Sequence, residues 1–74
     1  MGTPMHLEQY QRQLEREVQN CFPNSKTRVA YWGIREGFGN TWRVTVDGAM
    51  RDLTQEQAEL ATGFRRDAFR ELFS

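Results

Sequence analysis

Residues Thr41 to Val46 alternate strictly and run straight into Asp47-Gly48. Trp42, Val44 and Val46 fall on one side, Thr41, Arg43 and Thr45 on the other, the period-two pattern of a strand with one buried face. Asp-Gly is a two-residue hairpin signal, because the glycine accepts positive φ at no steric cost. Together they commit this part of the chain to a hairpin, with Ala49 to Leu53 as the returning strand. Upstream, Thr27 to Ile34 is rich in β-branched and aromatic residues and reads as another strand. Glu36-Gly37-Phe38-Gly39-Asn40 supplies a glycine-containing loop between the two.

A helix is expected on each side of these strands. Leu7, Tyr10, Leu14, Val18, Cys21 and Phe22 recur at three- and four-residue steps, one apolar stripe on a helix. Thr3 can cap that helix, with Pro4 at its first position, and Phe22-Pro23-Asn24 ends it. Thr54-Gln55-Glu56-Gln57 fits a capping box that opens the last helix. Its inner stripe is Ala58, Ala61, Phe64 or Arg65, Ala68 and Leu72, with Phe69 and Phe73 beside it. Gly63 either sits inside a continuous helix at a cost of about 1 kcal/mol or breaks it in two. The expected fold is α+β, in the order αβββα, as a single domain over residues 1–74. A three-stranded antiparallel sheet carries both helices on one face, and the other face meets solvent. The order resembles that of the double-stranded RNA-binding domain, in topology alone. Where that family has a lysine-rich phosphate grip, the second helix here begins Gln55-Glu56-Gln57.

Composition narrows the function. A chain of 74 residues buries only about 60% of its unfolded surface, so each large apolar residue has a default role in the core. Cys21 is the only cysteine, which excludes an intrachain disulfide scaffold and suits a reducing, cytoplasmic compartment. The first residues lack the basic-then-apolar pattern of a secretory signal, and no stretch has the length of apolar sequence that spans a bilayer. Ten basic residues balance ten acidic ones, unlike the strongly basic nucleic-acid binders. The charge is unevenly spread. Residues 26–46 carry Lys26, Arg28, Arg35 and Arg43 against Glu36, a surplus of three positive charges. Residues 47–60 carry four acids against Arg51, a surplus of three negative ones.

Catalytic and metal-binding patterns are lacking. His6 has no partner at ligand spacing, and Cys21 lies on an apolar stripe, where a small buried hydrophobe is expected. Nucleophilic catalysis would need a positioned base beside a thiol or hydroxyl. No cofactor, metal or enzymatic activity is therefore expected. Gly37-Phe38-Gly39 lacks the Lys-Ser/Thr and the following helix of a phosphate-binding loop.

The hairpin from Arg28 to Arg43 remains as the expected working surface. If Trp42, Val44 and Val46 face the helices, the partner strand is expected to add Ala30, Trp32 and Ile34 to the core. Tyr31, Arg35, Thr41, Arg43 and Thr45, with Arg28 or Val29, would then face outward. Aromatic residues among arginines have the composition of protein-interface hot spots, although ordinary cross-strand pairing explains Tyr31 as well. Phe38 at the loop tip either anchors a partner or folds back on the core edge. The partner-binding set is Arg28, Tyr31, Arg35, Phe38 and Arg43. The expected function is a non-enzymatic protein-interaction module, an adaptor or an inhibitor of the kind phages and mobile elements direct at host complexes, as a monomer or homodimer. The alternative is nucleic-acid binding through the hairpin or the last helix. Leu60 to Leu72 resembles the second half of a helix-turn-helix, in which Arg65, Arg66 and Arg70 would reach bases. In that motif the corner position held here by Glu59 is normally small.

Overall fold

The computed structural model of the chain describes residues 5–63 and 65–74. The Thr3–Pro4 cap and the place of Phe64 in the last helix lie outside the described residues.

The Asp47-Gly48 hairpin forms as its chemistry dictates. Both residues have positive φ, 50° and 86°, as a type I′ turn requires. The turn joins β2 (Gly39–Val46) to β3 (Ala49–Thr54). Asp47 also ties this turn to the first strand, β1 (Thr27–Arg35). Its carboxylate accepts the Lys26 N–H at 2.9 Å, and its own N–H donates to the Lys26 carbonyl, also at 2.9 Å. β1 meets β2 through a turn in which the Phe38 N–H donates to the Arg35 carbonyl at 3.0 Å. Gly37 supplies the positive φ, 83°, that a type II turn needs at its third residue. The sheet is antiparallel, in the order β1-β2-β3.

Helix α1 (Met5–Cys21) lies over β1, and α2 (Gln55–Thr62) over β2 and β3. Both therefore cover one side of the sheet, as the αβββα reading requires. The capping box at Thr54 forms in full: the Thr54 hydroxyl accepts the Gln57 N–H while the Gln57 side chain accepts the Thr54 N–H. Leu14, Val18 and Cys21 of α1, Ala58 and Ala61 of α2, and Val29, Trp42, Val44, Val46 and Leu53 of the sheet close one core. Trp42 is its centre. It is fully buried, lies between Tyr10 and Tyr31 at centroid distances of 5.2 and 5.1 Å, and donates its indole N–H to the Gln55 side chain at 2.7 Å.

The chain breaks at Gly63 rather than running through. A six-residue helix, α3 (Arg66–Glu71), follows. The break resets the helical phase and so corrects the expected inner stripe. Phe69, which a continuous helix sets beside the stripe, becomes fully buried and stacks with Phe22 at 6.3 Å and Phe73 at 5.5 Å. Among the described residues, no helix is long and apolar enough to cross a membrane.

Candidate functional site: the open face of the sheet

The face of the sheet away from the helices is set by register. Val29 pairs with Val44 and Tyr31 with Trp42, and residues directly opposite in an antiparallel pair share a face. Val29 and Tyr31 thus point at the core, and Ala30 and Trp32 point away. This reverses the expected assignment of β1 from Val29 to Trp32, while Ile34, opposite Asn40, keeps the side expected for it. A second irregularity follows at once. Between Tyr31 and Gly33 the register shifts by one residue, so Trp32 is the extra residue of a β-bulge, and Gly33 supports it with φ 94°. The bulge returns Arg35 to the outward side, opposite Gly39. A strand that is apolar on both faces leaves its parity open. An isolated glycine inside such a strand is the sequence signal that a bulge is present.

Trp32 is 53% exposed, and Ile34, opposite Asn40, is 80% exposed. Tyr31, expected on the outer surface, instead packs edge-on against Trp42 and donates its hydroxyl to the Asn40 side chain at 2.8 Å. It leaves the candidate site, and Trp32 takes its place. Arg43 lies over the Trp32 ring, its Cζ 3.7 Å from the centroid. The same guanidinium makes a two-pronged contact with Asp52, with Nε to Oδ1 at 2.7 Å and Nη2 to Oδ2 at 3.1 Å. The planar fork of arginine fits both tasks at once. The hydrogen bonds of Arg43 hold the Asp52 carboxyl below the usual aspartate range, and Asp52 in turn pushes the Arg43 guanidinium up. Trp32 is therefore clamped in place although it is exposed.

The remaining hairpin residues surround this centre. Phe38 is 54% exposed at the loop tip, with the Arg35 guanidinium 4.8 Å from its ring centroid. It does not fold back on the core. Met50, opposite Thr45 on β3, is 52% exposed. Arg28 is exposed at the start of β1. One shallow groove beside Trp32 is lined by Ile34, Arg35, Thr41 and Asp52, and another by Arg28, Ala30, Arg43, Thr45 and Met50. Of the expected partner-binding residues, Arg28, Arg35, Phe38 and Arg43 gather on or beside this face. Met50 joins them as an exposed apolar residue on the outward side of β3, whereas Ile34, opposite Asn40, stands on the Trp42 side of the sheet and is exposed at its edge.

The arginines of the alternative site lie elsewhere and are partly occupied. Arg66 donates to the Glu17 carboxylate of α1 at 2.9 Å, and Arg70 pairs with Asp67 at 3.6 Å. Arg65 is exposed at the start of α3. A six-residue helix is only about 9 Å long, which leaves little surface for reading a groove. The larger cleft lined by Glu17, Thr62, Arg65 and Arg66 is bridged by that closed ion pair. Cys21 is buried, and burial pushes its thiol up, away from the thiolate form that reacts. Among the described residues, no group of three His, Cys, Asp or Glu side chains is placed to hold a metal ion. No protein-family model matches the chain, and neither a curated protein nor a solved structure is significantly similar to it.

Proposed function

We propose that this chain is a non-enzymatic protein-interaction module, an adaptor or an inhibitor, that engages a larger protein through the open face of its sheet. The single observation that carries this reading is Trp32. It is a half-exposed tryptophan at a bulge in the strand, with Arg43 lying over its ring and itself fixed by Asp52. A small domain gains most of its stability by burying such a side chain, yet here the core residue is Trp42 and Trp32 is displayed. Tryptophan and arginine dominate interface hot spots, and a pre-ordered anchor loses little side-chain entropy on binding. A reduced, buried Cys21 suits a cytoplasmic setting.

The test is affinity purification of cell proteins with the wild-type chain beside Trp32→Ala, with circular dichroism confirming that both are folded. The expected result is a partner retained by the wild type and weakened by about tenfold or more in the variant. Identical partners at identical yield would sink the reading.

Nucleic-acid binding through the same face has one observation in its favour, the two exposed aromatics beside Arg28 and Arg35, which could stack bases. Salt separates the two. Phosphate contacts weaken steeply between low and moderate salt, whereas an aromatic-anchored protein interface does not.

A further inference from the structure

The open face carries its unsatisfied charge at its two ends. Arg28 and Arg35 both lie on the outward side of β1, opposite Thr45 and Gly39. Six residues of extended chain lie between them, a separation of roughly 20 Å. Among the described residues neither forms an ion pair, while Arg43 between them is closed by Asp52. Ala30, Trp32 and Met50 make the ground between these ends apolar. The face therefore reads as cation, apolar centre, cation.

That pattern discriminates among occupants. A second copy of the chain would set one positive face against another, with Asp52 already committed to Arg43 and Asp47, in the turn, to the Lys26 N–H. A nucleic acid presents phosphates at every nucleotide, but this face offers two free cations about 20 Å apart. Met50 has no ring on which a base could stack, and the Trp32 and Phe38 rings each already carry an arginine. A protein segment with an apolar middle and a carboxylate toward each end satisfies both the charge and the apolar surface. We propose that the open face binds an acidic protein segment of this kind, its apolar residues over Trp32 and Met50 and its acids on Arg28 and Arg35. In extended form about six or seven residues would span the distance. This inference rests on the interaction reading above and specifies its partner.

The experiment pans a display library of random twelve-residue peptides on the immobilised full chain, with Trp32→Ala as counter-selection. The expected winners carry aspartate or glutamate on both sides of an apolar centre. Synthesised, they should shift tryptophan emission, because Trp32 is exposed while Trp42 is already buried. Arg28→Glu/Arg35→Glu should weaken them by about tenfold or more, and peptides with lysine in place of the acids should bind that variant instead. Both arginines are exposed, so circular dichroism should show the double variant folded. Winners that are neutral or basic, and indifferent to the double charge reversal, overturn this inference and leave the interaction reading standing. If nothing dependent on Trp32 is enriched and Trp32→Ala captures the same cell proteins as the wild type, both fall. The inference is also overturned if a twelve-nucleotide single strand displaces the winning peptides. Sedimentation showing a dimer that Trp32→Ala converts to monomer would overturn it as well.

Discussion

The chain's two tryptophans have opposite fates, and that contrast is sharp enough to test. Trp42 is wholly enclosed, with aromatic rings on either side and its indole N–H satisfied by Gln55. Trp42→Ala is expected to cost about 3–5 kcal/mol. A chain of this length has roughly 4–11 kcal/mol in all, so the variant should lose a large share of its stability, seen as a much lower urea midpoint. Trp32→Ala should cost only about 0.5–1 kcal/mol, the worth of an exposed cation–π contact. Equal losses at the two positions would show that the register of β1 is not the one described. Tyr31→Phe belongs to the same test. It leaves Asn40 without its phenol donor and should cost about 1 kcal/mol; an outward-facing Tyr31 would cost nothing. Trp42 stands in the core as its alternation predicts, whereas Tyr31 and Trp32 exchange the sides expected for them. Tyr31-Trp32 offers a large aromatic to either face, and alternation fixes parity within a strand but not which parity meets the helices.

At the level of elements, much more could be read in advance, because the signals are local and chemical. The Thr54 capping box, the Asp47-Gly48 turn and the stripe of α1 each involve residues within four positions of one another, and each forms as its residue types require. Thr54→Ala should therefore destabilise the fold by about 1 kcal/mol, measurable as a shift in urea midpoint with no change in slope. The bulge is less legible, since a glycine in a strand signals a bend without saying which neighbour is displaced. Gly33 is nonetheless its key residue. A Cβ there would meet nothing within 4 Å, so Gly33→Ala carries only the backbone cost of φ 94°, on the order of 1–3 kcal/mol. If the strand relieves that strain by losing the bulge, Trp32 loses its place under Arg43. The variant should then lose partner binding even under conditions where it remains folded. Retained binding in a destabilised Gly33→Ala would mean that Trp32 does not depend on the bulge for its position. The Gly63 break belongs to the same class: propensity marks the weak point, but the burial of Phe69 against Phe22 and Phe73 settles that the helix turns there.

For the molecule as a whole, the sheet has helices on one side only, so polar side chains help to hold its exposed edges. Asp47 links the start of β1 to the β2–β3 turn, and Asp52 links β3 to Arg43 of β2. The Ser25 hydroxyl first, then the Lys26 N–H, holds the Asp47 carboxyl below its usual range, and Arg43 does the same for Asp52. A carboxyl whose pKa is lower folded than unfolded binds fewer protons in the native state. Its contribution is therefore fully present above the ordinary aspartate value, about 3.9, and is lost as pH falls from there through the folded value. The chain should be most stable near neutrality, and its urea midpoint should fall as pH drops below about 5. Asp47→Asn/Asp52→Asn cannot make that change. The variant should be less stable than the wild type at pH 7, yet the gap should narrow on acidification until the two curves approach each other. A constant gap from pH 7 to pH 3 would show that these two aspartates contribute no pH-dependent stability. The acid response of the sheet would then have to come from other carboxylates of the chain.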